Sequence, residues 1–264
     1  MIVALSIAGS DSGGGAGIQA DIKSMQANGV FATTAITAIT AQNTQAVTQA
    51  FDLPLDLIAA QIDAVFDDFE VKATKTGMLS SAGIIELVAS KVDEWQINPL
   101  VVDPVMISTS GFSLLAADAE ECLKRLLIPR ATLVTPNAHE AAHLTGLTIE
   151  SVQQAEDAAR QIFAMGPAAV LVKGGHLEKE TEAVDVFFDG NSFSYYRAPF
   201  IDTPNTHGTG CTYASAIAAN LAKGMALKPA IEKAKLYVTE AIRHGLDIGK
   251  GNGPTHHFYF LDKE

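Results

Sequence analysis

A chain of 264 residues with 48% apolar and 18% charged residues can bury one sizeable core and is too evenly mixed to stay disordered. A formal net charge of −12, with no cluster of Lys and Arg, excludes a general binder of nucleic acid or anionic membrane. The two cysteines, Cys122 and Cys211, exclude a disulfide framework and a Cys-rich zinc site, and no apolar run approaches the ~18–20 residues that cross a bilayer.

The N-terminal "MIVALSIAGSD" carries no basic n-region and no small-residue cleavage site, so a cytoplasmic protein is expected. Along the chain, apolar runs alternate with amphipathic stretches, the pattern of βα units. Strands are predicted at Ile2 to Ile7, in "FATTAITAIT" at 31–40, from Val71, from Pro99, from Ala131 and from Ala168. Helical periodicity fills 54–69, 80–95, 116–128, 152–165, 212–223 and 228–248. Ser151 with Gln154 forms a predicted capping box, and Gly166-Pro167 stops that helix. "AVDVFFDGNSFSYYR" predicts two strands joined through Asp189-Gly190-Asn191, a hairpin at a sheet edge. No linker or repeat interrupts the chain. A single three-layer α/β/α domain over 1–264 is expected, with a mostly parallel sheet and helices on both faces.

In such a sheet, ligands bind beyond the carboxyl ends of the strands. There this sequence collects "AGSDSGGGAGIQAD", Gln42, Gly77-Met78, Asp103, "TPNAHE" and "KGGH". The first glycine loop satisfies neither G-x-G-x-x-G nor a Walker A, because Ile18 stands at the third glycine and no Gly-Lys-Ser/Thr follows. It is either a flexible turn or a close backbone approach to a small substrate, with Asp21 one turn past Gly17 able to accept from an amino group. Gly208-Thr209-Gly210 before a helix offers free N–H groups and a positive dipole end, an anion site that suits phosphate. Cys211 in the first turn is then either a buried inert thiol or one whose pKa falls from ~8.5 toward neutrality.

Asn137 and Glu140 match a capping box, which is compatible with holding hydrated Mg²⁺. Asp103 contributes to the same corner or is a solvated strand-end residue. Lys173, emerging from "AVLV" before two glycines, is expected to contact phosphate. His139 and His143 in "HEAAH" fit the zinc pattern formally, but no third ligand follows in a suitable context.

Taken together, "AGSDSGGGAGIQADIK", "TAITAQNT", "KTGML", "VVDPVM", "TPNAHEA", "LVKGGH" and "NTHGTGCT" closely resemble the hydroxymethylpyrimidine and phosphomethylpyrimidine kinases of thiamine biosynthesis, within the ribokinase-like superfamily. The resemblance runs from Ala8 to about residue 258. It implies ATP-dependent phosphorylation of 4-amino-5-hydroxymethyl-2-methylpyrimidine to the monophosphate and then the diphosphate, by a homodimer. In that picture Asp21 and Gln42 bind the pyrimidine edge, and Gly9, Met78 and Val105 line the pocket. Gly208, Thr209 and Gly210 form the anion hole, Lys173 reaches a phosphate with Asp103 nearby, and Asn137 and Glu140 hold Mg²⁺. Cys211 takes the place of the aspartate that accepts the substrate proton in many relatives. A pyridoxal or pyridoxine kinase of the same fold and a non-catalytic pyrimidine sensor are the alternatives.

Overall fold

The alternation seen in the sequence is realised as one nine-stranded sheet, in a computed structural model that describes residues 1–106, 117–175, 177 and 182–261. The strands are β1 (Val3–Asp11), β2 (Phe31–Gln42), β3 (Val47–Asp52), β4 (Val71–Thr76), β5 (Leu100–Val102), β6 (Leu133–Val134), β7 (Val170–Val172), β8 (Glu182–Phe188) and β9 (Phe193–Pro199). Their spatial order is β3-β2-β1-β4-β5-β6-β7-β8-β9. From β2 through β7 all neighbours are parallel, whereas β3, β8 and β9 pair antiparallel at the two margins. The hairpin expected at 183–197 is β8–β9, with Gly190 at φ +85° in its turn and β9 on the edge.

Among the described residues eight α-helices cover the sheet: α1 (Gly17–Ala27), α2 (Leu55–Asp68), α3 (Ala82–Glu94), α4 (Ala117–Cys122), α5 (Ala138–Thr145), α6 (Val152–Phe163), α7 (Thr209–Ala222) and α8 (Leu227–Arg243). Side chains alternate across a strand, so each buried strand feeds two cores. Leu5, Ile7, Leu100, Val102, Val134, Val170 and Val172 meet α2, α3, α5 and α6 through Ile58, Ile62, Ile85, Leu144 and Ile162. Their neighbours Ala4, Val101, Leu133 and Leu171 meet α1, α7 and α8 through Met25, Ile217 and Ile231. Helix α7 is buried almost all round, and its run of small residues lets it lie close on the sheet.

Several expected boundaries shift for local reasons. Helix α7 begins at Thr209 rather than 212, which places Cys211 inside its first turn. The predicted helix at 116–128 starts as α4 but widens to a π turn at Leu123–Leu127 and tightens to a 3₁₀ turn at Ile128–Arg130, where Pro129 has no N–H to continue the ladder. Ser151 does accept from Gln154 N–H at 3.3 Å, while the Gln154 side chain accepts from the N–H of Glu150 rather than of Ser151. β3, with the sequence "VTQAFD", has five exposed residues of six and therefore no apolar alternation to announce it. Among the described residues no helix is long and apolar enough to cross a membrane.

Candidate active site

The strand ends converge as expected on a cavity of about 170 Å³, lined from six of them and from the segment 206–211. Gly9, Gln42, Met78, Asp103, Val105, Asn137, Glu140, Lys173 and Gly208–Cys211 all reach it. Asp21 does not.

The first glycine loop is folded around a residue that the sequence did not single out. Asp11, the last residue of β1, takes the N–H of Gly13 on Oδ1 at 2.8 Å and those of Gly15 and Ala16 on Oδ2 at 3.1 and 2.8 Å. His207 Nε2 lies 2.9 Å from the same Oδ2. Burial alone would raise the Asp11 carboxyl, but His207 and the amides of Ala16 and Gly13 outweigh it and hold the group below the ordinary carboxylate range. The amides of this loop are therefore engaged within the protein. The loop's tight packing explains its glycines: a Cβ on Gly15 would sit 2.3 Å from His207 Cδ2.

At the second loop the amides are arranged differently. Thr209 N–H donates to Thr206 O at 3.2 Å, and Thr212 N–H begins the helical ladder on Gly208 O at 2.9 Å. Gly210 and Cys211 occupy the first turn, ahead of that ladder, where N–H groups have no intrahelical acceptor. Gly208 holds φ +80°, and a Cβ there would lie 1.8 Å from Gly15 O, so the two loops are in backbone contact. His207 joins them, and Gln42 Nε2 stands 3.4 Å from its ring. Gln42 also accepts from Thr40 Oγ at 3.1 Å, which fixes the amide toward the cavity.

Opposite Gly210 lies an acid–lysine corner. Lys173 Nζ donates to Asp103 Oδ1 at 2.8 Å, and Thr135 Oγ donates to the same oxygen at 3.1 Å. A Cβ on Gly210 would be 3.2 Å from Lys173 Nζ and 3.8 Å from Asp103 Oδ2, so glycine keeps the space between helix terminus and ion pair open. Burial pulls the Lys173 ammonium down, but Asp103 and Glu140 outweigh it and raise it. The capping box is present in full: Glu140 N–H donates to Asn137 Oδ1 at 2.9 Å and Asn137 N–H to Glu140 Oε2 at 2.8 Å. Burial, against the pull of Lys173 and with Asp103 adding to it, pushes the Glu140 carboxyl up to about 7. A corner that holds on to protons in this way would gain from a further cation.

One expectation is corrected, and of two open alternatives one is favoured. Asp21 lies beneath the cavity, fully buried, and receives Lys75 Nζ at 2.9 Å on both oxygens, Ser6 Oγ at 2.5 Å and Ser215 Oγ at 2.6 Å. Its acceptor sites are filled by protein, so it has none to offer a substrate amino group. Cys211 lines the cavity as expected, yet its thiol is pushed up to about 11. Burial is the largest cause, and Asp21 and Asp103 add to it against the opposing pull of Lys75 and of the Gly17 N–H. The helix terminus does not make Cys211 a standing thiolate. Among the described residues no group of three or more His, Cys, Asp and Glu could hold a metal, and "HEAAH" lies within helix α5.

Sequence reasoning missed Asp11, His207 and Lys75. Asp11 carried a signal, an acid immediately before a glycine run, which is a common way to fill a nest of amides. His207 and Lys75 meet their partners 196 and 54 residues away, and nothing local marks them.

A doubly wound sheet whose carboxyl rim carries an open helix terminus, a buried lysine–aspartate pair and a small cavity is the architecture of a small-molecule kinase. Residues 11–256 match the family model described as phosphomethylpyrimidine kinase, and the chain belongs to that family. It is 50% identical to the hydroxymethylpyrimidine/phosphomethylpyrimidine kinase of Bacillus subtilis over 97% of this chain and 95% of that one. Among solved structures, an ADP complex of Bacillus subtilis pyridoxal kinase superimposes with a TM-score of 0.93 at 40% identity, covering both chains completely. The phosphomethylpyrimidine kinase of Clostridium difficile gives 0.81 at 45% identity, over 92% of this chain and 100% of that one.

Proposed function

We propose that this chain transfers the γ-phosphoryl group of ATP to the hydroxymethyl group of 4-amino-5-hydroxymethyl-2-methylpyrimidine, and then a second phosphoryl group to the monophosphate, for thiamine biosynthesis. One observation carries the reading. The first-turn amides of Gly210 and Cys211, the Lys173–Asp103 pair and the amide of Gln42 all face one cavity. A heterocycle held at Gln42 thus has its alcohol beside a site built for anions. Gly9, Met78 and Val105 supply the apolar contacts around the ring.

In the transfer, the alcohol oxygen bonds to the γ-phosphorus as the bond to the bridging oxygen of ADP breaks, and the alcohol gives up its proton. Such a step asks mainly for positioning and charge neutralisation. The amides of Gly210 and Cys211 receive the charge spread over the equatorial oxygens, that of Thr209 being engaged by Thr206 O, and Lys173 adds a full positive charge opposite them. Cys211 lies beside the alcohol; its thiol keeps its own proton at rest, so only its minor thiolate form can take the proton that the alcohol gives up as negative charge builds on oxygen.

Magnesium fits the acid–lysine corner. Glu140 and Asn137 would hold it, partly through water, as a small cation that retains most of its hydration shell requires no full protein cage. When bound it neutralises phosphate charge. The net charge of −12 is consistent with a small-molecule rather than a nucleic-acid partner. The homodimer rests on the family resemblance, and light scattering of the purified chain tests it.

A second reading, pyridoxal kinase, is favoured by the 40% identity to the Bacillus subtilis pyridoxal kinase. Incubation with the hydroxymethylpyrimidine, pyridoxal, ATP and Mg²⁺ together, followed by mass analysis, decides between them. Pyrimidine mono- and diphosphate are expected to predominate. Pyridoxal phosphate as the main product would replace the proposal with the second reading, and pyrimidine binding without ATP turnover would make the chain a sensor.

A further inference from the structure

Strand β7 ends at Val172, one residue before the lysine of the cavity, and the next two N–H groups of the chain are held from its two neighbouring strands. Lys173 N–H donates to Pro136 O, just past β6, at 2.8 Å. Gly174 N–H donates to a side chain of β8, Asp185 Oδ1, at 3.1 Å. The antiparallel register of β7 and β8 pairs Val172 with Val186, so Asp185 is the β8 residue at the point where the ladder stops. Gly174 is drawn in close there, since an added Cβ would lie 2.0 Å from Val184 O.

Asp185 has a second partner. Lys235 Nζ, from α8, donates to its Oδ2 at 2.7 Å, and both residues are buried. A buried ion pair is a weak stabilising device, because taking both charges out of water offsets most of their attraction, and apolar side chains of similar size would fill the space without that cost. This pair does what apolar side chains could not: it keeps an acceptor on the amide next to Lys173. The lysine itself has little freedom to compensate for a displaced main chain. Its side chain is only 11% exposed, and its Nζ is already engaged by Asp103 at 2.8 Å.

We propose that Asp185 is a positioning residue for Lys173: braced by Lys235, it holds the Gly174 amide and so fixes the stretch of main chain from which Lys173 reaches the phosphate site. The ammonium of Lys173 must stay close to Gly210, where an added Cβ would be 3.2 Å from it. A peptide that drifts away from β8 carries the ammonium off that line, and the cost falls on the nucleotide rather than on the heterocycle at Gln42, which is held by other strands.

The inference rests on the reading of Lys173 as the phosphate contact, and its test compares D185N/K235M with D185L/K235M in the ATP-consumption assay. Both variants are uncharged at the pair, and loss of Lys235 keeps an ammonium from turning the Asn oxygen toward itself. They differ in whether an acceptor faces Gly174 N–H. D185N/K235M is expected to stay within about twofold of the unaltered chain, whereas D185L/K235M raises the KM for ATP about fivefold and lowers kcat about tenfold, with the KM for pyrimidine unchanged. Equal losses in the two variants, or a KM for pyrimidine that rises with that for ATP, would overturn the proposal while leaving the kinase reading intact. In a K173A background D185L/K235M is expected to change the KM for ATP no further, and a second, additive rise would also overturn the proposal. Unaltered constants in K173A alone would instead remove the phosphate reading of Lys173, and the proposal with it. If D185L/K235M fails to fold, D185E takes its place: it keeps the charge but carries the oxygen one methylene further, and is expected to raise the KM for ATP about threefold in the unaltered chain and not in K173A. An unchanged KM for ATP in D185E would likewise overturn the proposal.

Discussion

The two glycine-rich turns of this protein, Gly13–Gly15 and Gly208–Gly210, touch each other, each precedes a helix, and each contains a glycine at nearly the same positive φ, +77° at Gly14 and +80° at Gly208. Their amides serve different ends. In the first turn they close on Asp11, a carboxylate of the chain itself. In the second, two first-turn amides open on the cavity. A glycine turn before a helix is therefore a place for an anion, and the surrounding sequence decides whether that anion is internal or a ligand.

The same substitution at the two glycines separates these roles. Gly208→Ala drives a Cβ to 1.8 Å from Gly15 O at a positive φ, so the anion loop must move; turnover is expected to fall by about 10³-fold or more in an ATP-consumption assay. Gly14→Ala has only Lys23 Nζ within 4 Å, at 3.5 Å. It is expected to cost about 1–2 kcal/mol of stability for the left-handed backbone, read as a shift in urea midpoint, and less than about twofold in turnover. Similar kinetic losses in both would erase the distinction.

Removing the internal anion comes next in size. Asp11→Ala removes the acceptor of three loop amides and one partner of the His207 ring, with an expected loss of about 3–5 kcal/mol in urea unfolding. Unchanged stability would mean that the first loop does not depend on its carboxylate. The open loop has its own support: His257 Nε2 lies 2.9 Å from Thr212 Oγ at the start of the α7 ladder. Burial, with Lys23 and His256 adding to it, lowers this imidazole to about 4. The unfolded chain takes up that proton near pH 6.5 and the native chain only near 4, so the native state is destabilised as pH falls through this window. The contribution is about 3 kcal/mol, and His257→Gln should flatten that part of the profile of stability against pH. Cys211→Ser sharpens the picture last: kcat is expected to drop about 10²-fold, with the KM for pyrimidine little changed.

Much of the fold could be read along the chain because each parallel strand is a short apolar run, and the β8–β9 hairpin announces itself through Asp189-Gly190-Asn191. β3 could not, since its exposed residues carry no alternation. At the rim, Asn137, Glu140, Lys173 and Cys211 stood out because each is a polar group just past a buried strand or inside a glycine turn. The error over Asp21 has a physical source. Spacing along α1 fixes the turn on which the carboxylate lies, but the lysine that claims it comes from a strand 54 residues away. The sequence left two states of the Cys211 thiol open for a related reason, since the helix terminus is a local feature whereas burial and the neighbouring acids are assembled by the whole fold.

One contact has a consequence for how the enzyme is made. His207 pairs with Asp11 on one side and, through a backbone bridge, with Pro254 on the other. A polypeptide still emerging from the ribosome therefore has its first loop early, but lacks the strap that seats the second until residue 254 has been added. Seating of the second loop therefore waits on a contact made far down the chain, whereas the first loop closes on its own residues.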